Sequence, residues 1–293
     1  MINPNASETE PLTIVEPRTE PVPALFDSPH SGSYYPDDFN PALEHLALRL
    51  MEDAFVDELF AAAPDYGARL IAARFPRGYI DPNRSQLEID PSEFEGWDGP
   101  AEPTEKSHVG KGLIWTRLHG EVALYARNPT ASDVHHRIET YWRPYHQAIN
   151  NAYDDLHHRF GCIYHVDCHS MRAKGNAFDP DGVADRPDFV ISNHDGKTCS
   201  PAFMNLVVEH LRSGDFNVAI NDPYKGAELT RRYADPANAR HALQIEINRR
   251  LYMDEKTIEK SPEFSTFQDQ MTELTTVVCD FAASQVVNHG AGT

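Results

Sequence analysis

Cysteine is scarce in this chain, and the few present are not spaced as pairs. Cys162, Cys168, Cys199 and Cys279 form no CxxC motif and no framework. That argues against a disulfide scaffold and for a reduced, cytoplasmic protein. Long apolar runs are missing too. No stretch reaches 18 hydrophobic residues, so no membrane span is expected. The N-terminus has neither a basic n-region nor an apolar h-region, so no secretory signal is expected. HExxH is absent, which excludes a helix-based zincin. GxSxG is absent, which argues against a serine-elbow hydrolase. There is no GxGxxG and no Walker A loop. Positive charge is outweighed, with 26 Lys and Arg against 45 Asp and Glu, a net charge of −19. Such a field repels nucleic acid and anionic membranes. It does not bar a small anionic substrate that meets local arginines.

What is present points to one large α/β domain. At 293 residues and 40% hydrophobic, the chain can bury a substantial core. Residues 1–22 are rich in Pro, Glu, Thr and Asn and read as a flexible lead-in to a single domain over 23–293. Apolar runs predict strands beginning at Ala24, over 69–74, 162–168, 188–192 and 216–220, and over 242–247. Asn40-Pro41 predicts the start of a helix running to Ala63 and stopped by Pro64. A long helix is expected over 132–160, kinked at Pro144 and ended by Gly161. Two more are expected over 201–213 and 262–283. The acidic, Gly- and Pro-rich segment 85–112 has little periodicity and reads as a lid. Alternating strands and helices imply a mainly parallel or mixed sheet flanked by helices.

Three strands end on chemistry rather than packing. The run 162–166 leads into Asp167-Cys168-His169-Ser170, the run from Ala24 into Ser28-Pro29-His30, and the run from Ala242 into Glu246. In parallel sheets, ligands bind beyond the carboxyl ends of strands. Alternation sends Cys168 to the core and His169 to the opposite face. One turn histidine among 15 carries little, but two at strand exits suggest a metal-dependent hydrolase. Asp53 and Asp57 interrupt the apolar stripe of the first predicted helix, and either offers a hard oxygen ligand. The cluster from Arg77 through Asp81, Asn83 and Arg84 has the fork geometry that grips carboxylates. Gln244, Glu246 and Asn248 share one strand face. Beside a metal, a glutamate there can take a proton from water and pass it to a leaving amine.

Taken in order, Ser28 to Gly32, Asp53 with Val56-Asp57, Arg77 to Arg84, Asp167 to Met171 and Pro223 through Met253 resemble the N-formylglutamate amidohydrolase family. The resemblance covers roughly residues 24–285. It implies a fold similar to zinc carboxypeptidases and aspartoacylase-type deacylases, a zinc-exopeptidase core. It implies one zinc ion held by His30, His169 and an acid, with Glu246 as general base. Those relatives carry the acid three residues after the first histidine, where this chain has Ser33, so the role passes to Asp53. The resemblance assigns the substrate carboxylate to Asn83 and Arg84, beside Asp81. Arg77 is expected to stabilise the oxyanion. Lys225, Gly226 and Arg172 are further substrate-binding candidates, and Ala227 stands where a second glycine is expected. The implied reaction is hydrolysis of an acidic N-acyl amino acid, with N-formyl-L-glutamate leading. Another N-acyl amino acid or short acidic peptide, or a non-catalytic carboxylate sensor, are the alternatives.

Overall fold

The computed structural model describes residues 10–118, 120–179 and 181–286. Its centre is a seven-stranded mixed sheet. The strands are β1 (Leu12–Val15), β2 (Ala24–Ser28), β3 (Arg69–Ala73), β6 (Ile163–Met171), β7 (Phe189–Ser192), β8 (Val218–Ile220) and β9 (Arg240–Asn248), ordered β1-β3-β2-β6-β9-β7-β8. Two small hairpins pair β4 (Arg117–Leu118) with β5 (Val122–Ala123) and β10 (Met253–Asp254) with β11 (Glu259–Lys260). The four central strands β3, β2, β6 and β9 run parallel. β1 joins one edge antiparallel to β3, and β7 meets β9 antiparallel before β8 pairs parallel to β7.

Both faces are covered, and the period of two in each strand decides what each face carries. Phe26, Tyr164, Val166, Cys168, Leu243, Ile245 and Ile247 point into one core. There they meet α2 (Val56–Leu59), α6 (Pro201–Ser213) and α8 (Phe264–Ser284). The opposite face carries Leu25 and Ile163 against α5 (Arg143–Phe160), which buries Tyr145, Ile149, Ala152, Tyr153 and Leu156 at helical spacing. That second face also carries Asp27, His165, Asp167, His169, Gln244 and Glu246, all buried.

Four expectations change. The segment taken as a flexible lead-in contains β1, whose Leu12 to Val15 pair with Ala73 to Leu70, so the sheet begins inside it. The helix expected over 41–63 is broken into α1 (His45–Arg49), α2 and a 3-10 turn, Ala63–Tyr66. At the break Phe55 takes φ 67, a left-handed value that ends helical register. The long helix divides into α4 (Ala131–Arg137), a π-helical turn (Ile138–Trp142) and α5, with Pro144 in the first turn of α5. Proline has no N–H to give and crowds the preceding turn, so the helix widens there. The segment expected as a lid is anchored: Ile89, Phe94 and Leu113 belong to the second core, and α3 (Glu105–His108) carries a reciprocal Thr104–Ser107 capping box. Among the described residues, no helix is long and apolar enough to cross a membrane.

Candidate metal centre and pocket

The ends of β2, β6 and β9 converge on one buried cluster. β2 hands the chain to His30, whose carbonyl accepts a 2.9 Å hydrogen bond from the Asp53 amide. The turn is tight because Gly32 lies against the Arg74 and Phe75 carbonyls; a Cβ there would sit 2.4 Å from Phe75 O. β6 supplies His169, which stands opposite Glu246 in the β6–β9 register. His30 Nδ1 and His169 Nδ1 are 3.0 Å apart. Asp53 Oδ2 is 3.0 Å from the second ring and 3.4 Å from the first. A tetrahedral ion with bonds of about 2.0–2.1 Å separates its ligand atoms by roughly 3.3–3.4 Å. These three buried donors therefore fit a zinc-sized cation.

The layer behind them fits as well. His30 Nε2 faces Asp81 Oδ1 at 2.7 Å, and His169 Nε2 faces Asp167 Oδ1 at 2.7 Å. A carboxylate behind each imidazole is the usual support of a histidine ligand. Asn83 Nδ2 packs against Asp167 Oδ2 at 3.0 Å and His169 Nε2 at 2.8 Å, while its carbonyl accepts from the Leu229 amide. The second oxygen of Asp53 is held from the other end of the domain: Arg249 Nη2 donates to Oδ1 at 2.9 Å. Asn248 caps the 3-10 turn that aims Arg249 inward.

Charge follows from this packing. Burial alone would raise Asp53 and Asp81. Arg77 and the histidines hold Asp53 well below the usual carboxylate range, and His30 and Arg77 do so for Asp81. Burial would push His169 down, but Asp167 and Asp53 hold it well above the usual histidine range. That proton on the ring is what a metal must displace. Glu246 lies outside the donor set. Burial raises it, opposed by His169 and reinforced by Asp53, and Gln244 Nε2 donates to its Oε1 at 2.8 Å.

The cluster floors a cavity of about 370 Å³. Arg77 lies on its wall, between Asp53 and Asp81 and 4.9 Å from the Trp115 ring. Arg84 donates to the Lys111 and Asn83 carbonyls and also faces the cavity. Asp81 differs from its expected place. It is not on the wall but fully buried behind His30, bonded by Trp115 Nε1 at 3.2 Å. Arg172 lines the cavity and pairs with Asp179, with Arg186 and Lys111 on the same carboxylate. Lys225 is a rim residue paired with Asp195, and Gly226 takes φ +106, where a side chain would strike His194. Ala227 is extended and accommodates its Cβ. Ser33 is exposed, and Asp57 lines a different cavity beside Ser31.

Arg249, Trp115, Asp167 as an orienting carboxylate and Lys106 were not singled out as site residues by the sequence reading. Asp167 was legible, two residues before His169 on an alternating strand. Trp115 and Arg249 had no local signal, because their partners lie 34 and 196 residues away. The 77–84 segment is pinned by α4, the π turn and α5: Arg137 donates to Tyr79 O, Trp142 Nε1 to Arg84 O, and His146 Nε2 faces Pro82 O.

The family model described as N-formylglutamate amidohydrolase matches residues 22–253. The N-formylglutamate deformylase of Pseudomonas putida is 28% identical over 266 residues, covering 88% of this chain and 89% of that protein. Its counterpart from Pseudomonas aeruginosa is 29% identical over 240 residues, covering 80% and 84%. The crystal structure of N-formylglutamate amidohydrolase from Ralstonia eutropha JMP134 superposes with a TM-score of 0.90. It is 42% identical and covers 94% of this chain and 99% of that one.

Proposed function

Because the chain belongs to the N-formylglutamate amidohydrolase family, we propose that it hydrolyses the amide of an acidic N-acyl amino acid. N-formyl-L-glutamate, giving formate and glutamate, is the leading substrate. The observation that carries this reading is a reversal of charge. The chain is −19 overall. Its pocket is lined by eight Lys and Arg side chains against two carboxylates, Asp179 and Glu246. Such a cavity selects a small polyanion.

His30, Asp53 and His169 would hold one zinc ion, with Asp81 and Asp167 fixing the rings. When bound, zinc supplies a Lewis acid that acidifies water and polarises the amide carbonyl. Glu246 accepts the proton of the attacking water and returns it to the leaving nitrogen, so that formate and a free amine result. Burial raises its pKa, which strengthens it as the base that takes and returns that proton. Arg77 is placed to stabilise charge growing on the carbonyl oxygen. Arg84 and Asn83 line the wall where a substrate carboxylate docks. Trp115, Met51 and Leu118 exclude water from one side.

The test is formate release from N-formyl-L-glutamate by zinc-loaded protein, alongside Glu246→Gln. The variant keeps the shape and removes the basic oxygen. Turnover is expected to fall by about 10²–10⁴-fold with substrate still bound. A loss below tenfold overturns the base role. A zinc-loaded parent that binds but releases nothing favours a carboxylate sensor instead.

A further inference from the structure

Among the cations around the pocket, Lys106 stands apart. Arg77, Lys111, Arg172, Arg186, Lys225 and Arg249 each have a carboxylate within 4 Å. Lys106 lines the cavity and, among the described residues, forms no ion pair and no side-chain hydrogen bond. The groups it feels are Arg84, Arg77, Asp81 and Glu88. Those carboxylates are already committed. Asp81 lies between His30 and Arg77, and Glu88 accepts from Thr104 Oγ1 and sits 3.7 Å from Arg84 Nε.

The position is also built. Lys106 is in the second position of α3, whose capping box fixes the turn, and its carbonyl accepts from the Lys111 amide at 2.8 Å. Gly112 is pressed so close to Glu88 O and Ser107 that no side chain fits. Lys106 itself is exposed to solvent, so the fold does not force its ammonium toward the Arg84 and Arg77 guanidinium groups whose charges it feels. Two like charges facing one cavity cost energy in the empty protein, and an incoming anion relieves it.

We propose that Lys106 is a specificity-determining residue that, together with Arg84, binds one carboxylate of the substrate. This rests on the proposed reading of the pocket as a site for a dicarboxylic N-acyl amino acid. Although Lys106 is exposed, the charges of Arg84 and Arg77 push its ammonium down to about 7. Ligand binding then draws a proton onto Lys106 when the pH lies above that value, and affinity falls as pH rises through it.

The experiment compares the parent, Lys106→Met and Lys106→Arg on N-formyl-L-glutamate and on its two monoamides, one lacking the side-chain carboxylate and one the α-carboxylate. Lys106→Met is expected to raise KM for the diacid by about 10-fold or more. For one monoamide the effect is expected to stay below threefold, which names the carboxylate that Lys106 takes. Lys106→Arg is expected to restore binding and abolish the rise of KM above pH 7. Equal losses on all three substrates, or no loss on the diacid, overturn the proposal. If the parent releases no formate, the functional reading has failed on its own. Calorimetric binding of glutarate then tests Lys106 separately, with a tenfold weaker affinity in Lys106→Met expected and an unchanged one overturning it.

Discussion

Two buried histidine–carboxylate pairs can be compared, one between β6 and β2, the other between His30, just beyond β2, and Asp81 in the segment after β3. In the lower pair His165 Nε2 faces Asp27 Oδ1 at 2.7 Å. In the upper pair His30 Nε2 faces Asp81 Oδ1 at the same 2.7 Å. Both pairs are buried. They part at the other ring nitrogen. The lower ring meets Tyr153 Oη at 3.0 Å, and Tyr145 donates to the second Asp27 oxygen at 2.6 Å. Every polar atom there has a partner, so the layer is closed. In the upper layer the free nitrogens meet each other and Asp53, and the cavity lies beyond. A paired histidine is therefore not in itself a site. The cavity on the other side of the upper pair makes the difference.

The comparison can be broken at several points. The largest effect is expected from His169→Ala, which removes one of three donors. Metal content after loading and dialysis should fall from about one ion per chain to a small fraction, while circular dichroism stays native. A variant that retains the ion would put the centre elsewhere. Next is His165→Ala, one layer down. It leaves Asp27 Oδ1 buried without its partner, which costs about 1–3 kcal/mol. Denaturant unfolding should record that loss, and the folded fraction should bind metal as before. If His165→Ala strips metal and leaves stability alone, the two layers have been misassigned.

A smaller effect is expected at Asp81→Asn. The ligands survive, but their orientation does not, and metal affinity should drop about 10–100-fold. Competition with a chelator measures it. The smallest concerns Asp57. Burial pushes its carboxyl up to about 6, with the Glu58 charge adding to the shift. The folded state thus holds this proton more tightly than the unfolded chain, whose value is 3.8. The stability it contributes is complete below 3.8 and is lost as pH rises through about 6. Asp57→Asn should remove that loss and stabilise the protein at pH 7.5, with metal binding unchanged. An equal gain at pH 4 would contradict the account.

How far the sequence discloses this arrangement depends on the range of the interaction. Strand exits are readable from the ends of apolar runs, which name His30, and alternation adds the faces of His169 and Glu246. The central strands were readable because continuous apolar runs have few alternative uses. The break at Phe55 was not, since nothing local forbids a helix through Met51-Glu52-Asp53. What forbids it is the tie between the Asp53 amide and His30 O, a tertiary bond. The lead-in was misjudged for a similar reason. Leu12-Thr13-Ile14-Val15 is too short to stand alone and becomes a strand only against β3. Likewise Lys106 lies in a stretch with no periodicity, and its company is set by the folding of 85–112 over the pocket.

The bond from Arg249 to Asp53 spans nearly the whole chain, and it sets an order of events. A polypeptide emerging from the ribosome presents His30 and Asp53 early, and His169 much later. The guanidinium that aims the Asp53 carboxylate comes later still. Until residue 249 has docked, the acid lacks its shortest tie to a guanidinium, and the sheet lacks the strand that brings Glu246 beside His169. A cation held there would thus be captured tightly only at the last stage of folding. Incomplete or nicked chains would release it readily, so its retention would report that both ends of the domain have met.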